Sequence, residues 1–177
     1  MARLAAKATD ELDPYEANGC VELFRNVYLP FFPLITLPIS TGWKELKANR
    51  PLLWLCIVAV TSRSTAQSQA LSLRAKEIIS KRLFVDGERD LEMLLGVIIL
   101  VTWSIYPTKG KAYMWLLVHA AIALTDDLGL ERPRENLECR ASFANLTPNL
   151  LASAGRDLNR TVEESRAFLA CYLSCST

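Results

Sequence analysis

The two longest uncharged apolar runs, residues 93–108 and 112–125, constrain the fold more than any other feature of this sequence. Both are shorter than the ~20 apolar residues that a membrane-spanning helix requires. The sequence Lys-Gly-Lys separates the runs, and Glu92 and Asp126 bound them on their outer sides. Apolar segments of this length are typical of helices buried in the interior of a water-soluble bundle, which we favour over a membrane-embedded helical protein.

Helix boundaries can be predicted along most of the chain, whereas strand patterns do not recur. Pro51 suits the first turn of a helix over the apolar residues that follow it, because a proline lacks only an N–H that would be unbonded there. Ser64 and Gln67 form a reciprocal capping pattern at the start of the next helix, which extends to about Phe84. Gly129 is placed to end the helix that starts near residue 112 in a left-handed conformation.

Other polar positions refine this outline. Thr41 is predicted to cap a short helix, and prolines 30, 33 and 38 before it indicate an extended apolar connector across the core. Lys76, Lys81 and Arg82 are predicted to form the solvent-facing side of the helix that ends near Phe84.

The closing segment begins as a well-defined helix. Thr161 and Glu164 match a capping box, and a set of apolar residues on the following turns shares one face of the helix. These residues are Phe168, Leu169, Tyr172 and Cys175.

The predicted fold class is therefore all-α. We expect a helical bundle of about six helices with one long loop, residues 131–159, as part of a larger helical domain. Residues 1–21 are interpreted as a flexible N-terminal segment, and residues 22–177 as the helical domain.

Charge and cysteine content argue against several classes of protein. The 20 basic and 19 acidic residues give a net charge of +1, without the clustered basic residues that nucleic-acid binding requires. The 5 cysteines show no Cys-x-x-Cys pair and are interpreted as free structural thiols in a reducing compartment. No metal-binding or DNA-binding residue is identified, and no cofactor is expected in this chain.

No catalytic site can be predicted either. His119 is the only histidine, and we interpret it as a core residue with one hydrogen-bond partner. Asp126 and Asp127 are adjacent and diverge by ~100° on a helix, so they cannot share a metal as residues four apart would. Glycine loops that bind phosphate and serine-hydrolase motifs are missing from the sequence, and no catalytic residue is proposed.

Aromatic side chains suggest one binding function. Those of the two long apolar runs are typical of core packing, yet a pocket between helices is an alternative. The candidate effector-binding residues are Trp103, Tyr106, Tyr113 and His119.

Several stretches, in order, resemble one family. They are residues 28–38 (YLPFFPLITLP), 50–63 (RPLLWLCIVAVTSR), 94–106 (LLGVIILVTWSIY), 109–133 (KGKAYMWLLVHAAIALTDDLGLERP) and 160–176 (RTVEESRAFLACYLSCS). Together they are similar to the middle regulatory region of fungal binuclear-zinc-cluster transcription factors.

The resemblance implies a nuclear protein that regulates transcription by RNA polymerase II and is not an enzyme. It implies that zinc and DNA are bound by a six-cysteine cluster that this chain lacks, so that DNA is contacted only indirectly. In the family the closing stretch lies within the domain, which suggests a truncated chain with Phe168, Leu169 and Tyr172 as an interaction surface. Expected partners are proteins of the transcription machinery, the rest of a transcription factor or a second copy in a homodimer, and no membrane.

Overall fold

The computed structural model describes residues 12–103, 111–130 and 161–175, and these ranges contain seven α-helices and no strand. The helices are α1 (Pro14–Leu23), α2 (Trp43–Asn49), α3 (Pro51–Thr61), α4 (Thr65–Ser80), α5 (Leu91–Trp103), α6 (Lys111–Asp127) and α7 (Val162–Cys175). The all-α prediction is confirmed. The predicted long loop, residues 131–159, lies outside the described residues.

Helices α3 and α5 form the centre of the bundle. Every residue of α3 from Leu52 to Thr61 is buried, and so is every residue of α5 from Met93 to Leu100. The two helices pack closely at Gly96, where an added Cβ would lie 3.3 Å from the Cys56 sulfur. Helix α5 contains the described part of the run 93–108, and the burial of Met93–Leu100 confirms the predicted interior helix there.

The other helices surround this pair. Helices α1, α2 and α4 pack against α3, whereas α6 and α7 pack against α5 and against each other. Helix α6 is buried on one side only, because Leu117, Ala121 and Leu124 face the core while Trp115 and Leu116 are exposed. Residues 112–125 were predicted to form a helix in the interior of the bundle, and this holds for one side of α6 only. No helix in the described ranges combines the length and the apolar character needed to cross a bilayer.

Polar contacts define the relative directions of the last three helices. Arg89, just before α5, forms an ion pair with Asp127, the last residue of α6, so α5 and α6 are antiparallel. The hydroxyls of Thr102 and Ser174 lie 3.5 Å apart near the C-terminal ends of α5 and α7. The start of α6 therefore lies at the same end of the bundle as the end of α7.

The N-terminal helix corrects one predicted boundary. Helix α1 starts at Pro14, within the segment that we predicted to be flexible to residue 21, and it buries Ala17 and Val21 against the core. It continues as a π-helical turn, Phe24–Tyr28, and a 3-10 turn, Leu29–Phe31. The connector, residues 32–41, follows without helical structure.

The predicted helix caps are mostly observed. Thr161 and Glu164 form the reciprocal capping box, with hydrogen bonds of 2.7 and 3.2 Å. Gly129 has a φ of 69°, the left-handed conformation predicted for the end of α6. Helix α2 differs from the prediction, since its N-cap is Gly42 and not Thr41.

The capping pattern at the start of α4 is only half formed. The Ser64 hydroxyl accepts a 3.4 Å hydrogen bond from the Gln67 N–H. The Gln67 side chain instead accepts a hydrogen bond from the Ser62 hydroxyl. The reciprocal contact is therefore replaced by one with the preceding turn.

Two predicted solvent-facing residues lie in buried or half-buried positions. Lys76 is buried in α4, and burial lowers the pKa of its amine. Arg82 is drawn inward by three carboxylates, those of Glu88, Asp90 and Glu92. Burial lowers the pKa of Arg82, but its hydrogen bond to Glu88 and the nearby charges outweigh burial and raise it.

Candidate functional site

The first predicted effector residue, Trp103, belongs to an aromatic cluster of the protein itself. Its ring makes edge contacts with Phe24, Tyr28 and Phe32, at centroid distances of 5.3, 5.7 and 5.9 Å. These three residues come from the turns and the connector that follow α1. This cluster packs the N-terminal segment onto the end of α5.

Of the remaining predicted effector residues, His119 has a described side chain, and no contact between it and Trp103 is observed. His119 is exposed on α6, contrary to its interpretation as a core residue, and its ring centroid lies 6.2 Å from that of Trp115. Tyr106 and the Tyr113 side chain lie outside the described residues. An effector site built from these four residues stays a prediction.

The predicted interaction residues of α7 divide between core and surface. Phe168 is partly buried against the core, whereas Leu169 and Tyr172 are exposed together with Leu173. Residues three and four apart share one side of a helix, so these three exposed side chains lie together.

Helix α6 adds two more exposed apolar residues at the same end of the bundle, Trp115 and Leu116. We call the set the terminal apolar face; each member is 48–65% exposed, and the members are Trp115, Leu116, Leu169, Tyr172 and Leu173. An exposed apolar surface of this kind is typical of a protein interface.

A groove with a volume of about 480 Å³ lies on another part of the surface, between the connector, α2, α3 and the start of α7. We call it the inter-helix groove. Its apolar lining residues are Leu37, Pro38, Leu46, Leu53 and Val162. Its polar lining residues are Thr36, Thr41, Glu45, Asn49, Arg50 and Glu163. Small-molecule sites usually have volumes of roughly 300–1,000 Å³ and combine apolar walls with a few polar groups.

Ion pairs and hydrogen bonds hold the walls of the inter-helix groove together. The Arg50 guanidinium binds both carboxylate oxygens of Glu163, and one of these N···O distances is 3.0 Å. This hydrogen bond outweighs partial burial and raises the pKa of Arg50. Arg166 of α7 donates a hydrogen bond to the Thr36 hydroxyl. The start of α7 is therefore tied to both α3 and the connector.

A second arginine shapes the connector itself. Arg25 donates hydrogen bonds to the carbonyl oxygens of Pro38 and Thr41, at 3.1 and 2.9 Å. Pro38 also accepts a hydrogen bond from the Thr41 N–H, which closes a turn. The backbone at one wall of the groove is thus held in place from the end of α1.

The residue pattern did not predict the inter-helix groove. Its walls come from three separate stretches, residues 36–41, 45–53 and 162–163, which only the tertiary fold brings together. The one available signal was the proline-rich connector, because a segment that cannot continue a helix leaves space beside its neighbours.

The described residues offer little for catalysis or for metal binding. Among them no three His, Cys, Asp or Glu side chains are grouped as metal ligands would be. Burial, with a smaller contribution from Glu92, raises the pKa of the Cys56 thiol, which therefore stays protonated and unreactive at neutral pH.

Comparison with known proteins gives three relatives. Transcription factor opdL of Penicillium oxalicum is 35% identical over 172 residues, which is 94% of this chain and 30% of opdL. A protein named transcription factor in Aspergillus terreus is 31% identical over 59% of this chain and 18% of its own length. Transcription factor himD of Aspergillus japonicus is 25% identical over 88% of this chain and 25% of himD.

No protein-family model and no solved structure matches the sequence. This chain spans less than a third of the length of each relative that it matches. Over nearly all of its length the chain is nonetheless similar to a portion of two fungal proteins that are named as transcription factors.

Proposed function

We propose that this chain is a regulatory and interaction region of a fungal nuclear transcription factor that acts on transcription by RNA polymerase II. The observation that supports it most strongly is the 35% identity to transcription factor opdL over 94% of the chain. Zinc and DNA are bound by a cluster outside this chain, and the chain itself catalyses no reaction. It works by presenting surfaces to other proteins.

The terminal apolar face is the proposed contact surface. Leu169, Tyr172 and Leu173 contribute neutral side chains to it, so electrostatic attraction cannot provide the binding energy. A partner must therefore supply an apolar surface, such as one side of a helix.

We assign this role to helices of the rest of a transcription factor polypeptide. The region that this chain matches is 30% of opdL, so most of opdL lies outside the matched region. Proteins of the transcription machinery and a second copy of this chain are the other candidates.

A reporter experiment tests the function. The chain is fused to a DNA-binding domain that does not regulate by itself, in a filamentous fungus that carries a reporter gene. We expect the fusion to change reporter transcription severalfold relative to the DNA-binding domain alone. Equal transcription from both, at equal protein levels in the nucleus, would contradict the proposal.

Paired variants then test the surface. Leu169→Ser combined with Tyr172→Ser should abolish the reporter response without lowering the melting temperature, because both side chains are exposed. The control combines Leu73→Ser with Tyr15→Ser, which replaces the same two residue types at exposed positions on α4 and α1. A loss of response in both pairs, or in neither, would reject this face as the contact surface.

A second candidate function, the sensing of a small-molecule effector, is favoured by one observation. The inter-helix groove has a ligand-sized volume of about 480 Å³ and a mixed lining. Its described lining contains neither Trp103 nor His119, the two candidate residues whose side chains the structure describes.

A further inference from the structure

We propose that the inter-helix groove binds a small, mainly apolar, uncharged molecule, and that this ligand locks α7 in its docked position. The proposal deepens the regulatory function proposed above, and it rests on that function for its biological meaning. The binding step and the locking step stand on separate observations.

The charge of the ligand follows from the charged residues of the lining. These are one cation, Arg50, and two anions, Glu45 and Glu163. The guanidinium of Arg50 already binds both oxygens of Glu163, so an anionic ligand would have to break that pair. Two charges of opposite sign are then left at the walls, Glu45 and Arg166, the second of which donates to the lining hydroxyl of Thr36, so neither an anion nor a cation gains a net attraction.

The apolar body of the ligand follows from the walls. Leu46 and Leu53 form buried walls of the groove, and Leu37 and Val162 line it as well. The Thr36 hydroxyl and the Asn49 amide add neutral polar groups that suit a hydroxyl on the ligand. This combination matches a compact amphiphilic molecule better than an ion or a sugar.

Helix α7 links the groove to the terminal apolar face. Its first two residues, Val162 and Glu163, line the groove. Its later residues, Leu169, Tyr172 and Leu173, belong to the terminal apolar face. A helix that moves away from α3 therefore removes one wall of the groove and displaces part of the face in the same step.

The ligand must therefore stabilise the docked position of α7. A molecule that binds only the docked state lowers the population of the undocked state by the factor 1 + [L]/Kd. At a free concentration ten times the Kd, undocking falls by about 11-fold. The groove and the terminal face are then two coupled sites on one helix.

Three probes with the same ring and different charges test the binding step. They are tryptophol, which is neutral, tryptamine, which is a cation, and indoleacetate, which is an anion. Titration of the purified chain is followed by the methyl NMR signals of Leu37, Leu46 and Leu53. We expect tryptophol to shift these signals, with an affinity at least about tenfold higher than those of tryptamine and indoleacetate.

A matched pair of variants localises the binding. Asn49→Trp places a large ring in the groove and should abolish the shifts, whereas Asn18→Trp makes the same change at an exposed position on α1 and should retain them. Circular dichroism establishes that both variants fold. Equal binding by all three probes, no binding by any, or binding that survives Asn49→Trp overturns the assigned site.

Hydrogen exchange tests the locking step. With tryptophol at ten times its measured Kd, exchange of the α7 amides should slow by about 11-fold in the wild-type chain and remain unchanged in Asn49→Trp. A probe that binds the groove without slowing exchange in α7 overturns the coupling. Neither measurement involves transcription, so a silent reporter contradicts the proposed function without affecting this result.

Discussion

Glu92 is the residue through which the two central helices stabilise each other. It belongs to the first turn of α5, yet one of its carboxylate oxygens accepts hydrogen bonds from the backbone N–H groups of Leu52 and Leu53, at 2.7 and 3.1 Å. These two N–H groups open α3 and have no partner within their own helix. A negative charge also suits the positive end of the α3 dipole.

Replacement of Glu92 by glutamine should therefore destabilise the fold. Glu92→Gln keeps the shape of the side chain but removes the charge from its two backbone hydrogen bonds and from its contact with Arg82. We expect the free energy of unfolding to fall by about 2 kcal/mol, measured by urea denaturation. The control is Glu77→Gln, which removes an exposed pair with Arg74 and should cost less than about 0.5 kcal/mol. Similar losses in both variants would contradict the cap.

The buried Lys76 makes a prediction about pH. Burial lowers its pKa in the folded protein, so between that lowered pKa and 10.5, the ordinary pKa of a lysine, the unfolded chain binds more protons than the folded one. The contribution of Lys76 to the free energy of unfolding therefore increases as the pH rises through this window. Lys76→Met removes the titration, and its stability advantage over the wild type should shrink in urea denaturation as the pH rises toward 10.5.

The exposed Lys81 provides the control for this experiment, as Lys81→Met removes a lysine from the adjacent turn. An advantage of Lys76→Met that stays constant over the same pH range would show that Lys76 does not titrate within it.

At the scale of residues, the sequence was a good guide to helix caps and a poor guide to which charged side chains are buried. The capping box of Thr161 and Glu164 depends on residue spacing within one turn, which the sequence states directly. The environment of Lys76 and Arg82 depends on what packs against α4 and on the carboxylates that follow it. Helical spacing cannot show how far a long side chain reaches into the core.

At the scale of elements, the contact between α3 and α5 depends on the absence of a side chain at Gly96. An added Cβ would lie 3.3 Å from the Cys56 sulfur and 3.6 Å from Cγ of Leu52. Two buried helices that approach this closely leave no room for a larger residue.

Gly96→Val should therefore lower the free energy of unfolding by about 2 kcal/mol, because overpacking forces the two helices apart. The matched control is Gly19→Val in α1, where an added Cβ meets nothing within 4 Å. The control should be neutral or slightly stabilising, since valine is a better helix former than glycine. Thermal unfolding of both variants checks the difference, and an equal loss would refute the close contact.

The ion pair between Arg50, at the start of α3, and Glu163, at the start of α7, leads to a second prediction at the scale of elements. A double-mutant cycle with Arg50→Gln and Glu163→Gln measures the energy of this pair alone. Both side chains are partly exposed, 38% and 27%, so we expect a coupling of about 1 kcal/mol. The pair Arg74 and Glu77 within α4 gives the reference, at about 0.3–0.5 kcal/mol. A coupling of zero for Arg50 and Glu163 would mean that the pair does not hold α7.

The sequence predicted individual helices better than their arrangement. The apolar runs around residues 52–61 and 93–100 identified α3 and α5, because a helix that is apolar on all sides must be surrounded by others. The inter-helix groove was missed, because contacts such as that of Arg166 with Thr36 join residues 130 positions apart. Periodicity within a helix carries no information about such pairs.

At the scale of the whole molecule, surface composition differs between the two ends of the last three helices. One end has the ion pair of Arg89 with Asp127 and the charged residues Glu163 and Arg166. The opposite end has the terminal apolar face, to which Trp115 and Tyr172 contribute exposed aromatic rings. The charged end is well hydrated. Covering the apolar end with another apolar surface lowers the free energy, because it removes that end from water.

The isolated chain should consequently associate with itself through the terminal apolar face at high concentration, because no larger assembly covers that face in a purified sample. Sedimentation velocity between micromolar and near-millimolar concentrations should show a rising average mass. Leu169→Ser combined with Tyr172→Ser should keep the chain monomeric with an unchanged melting temperature, while Leu73→Ser combined with Tyr15→Ser should associate like the wild type. Association that persists in the first pair would place the contact on a different surface.

The same face then serves both self-association and the proposed partner. A partner segment that binds the monomer should therefore dissociate the oligomer in the same sedimentation experiment.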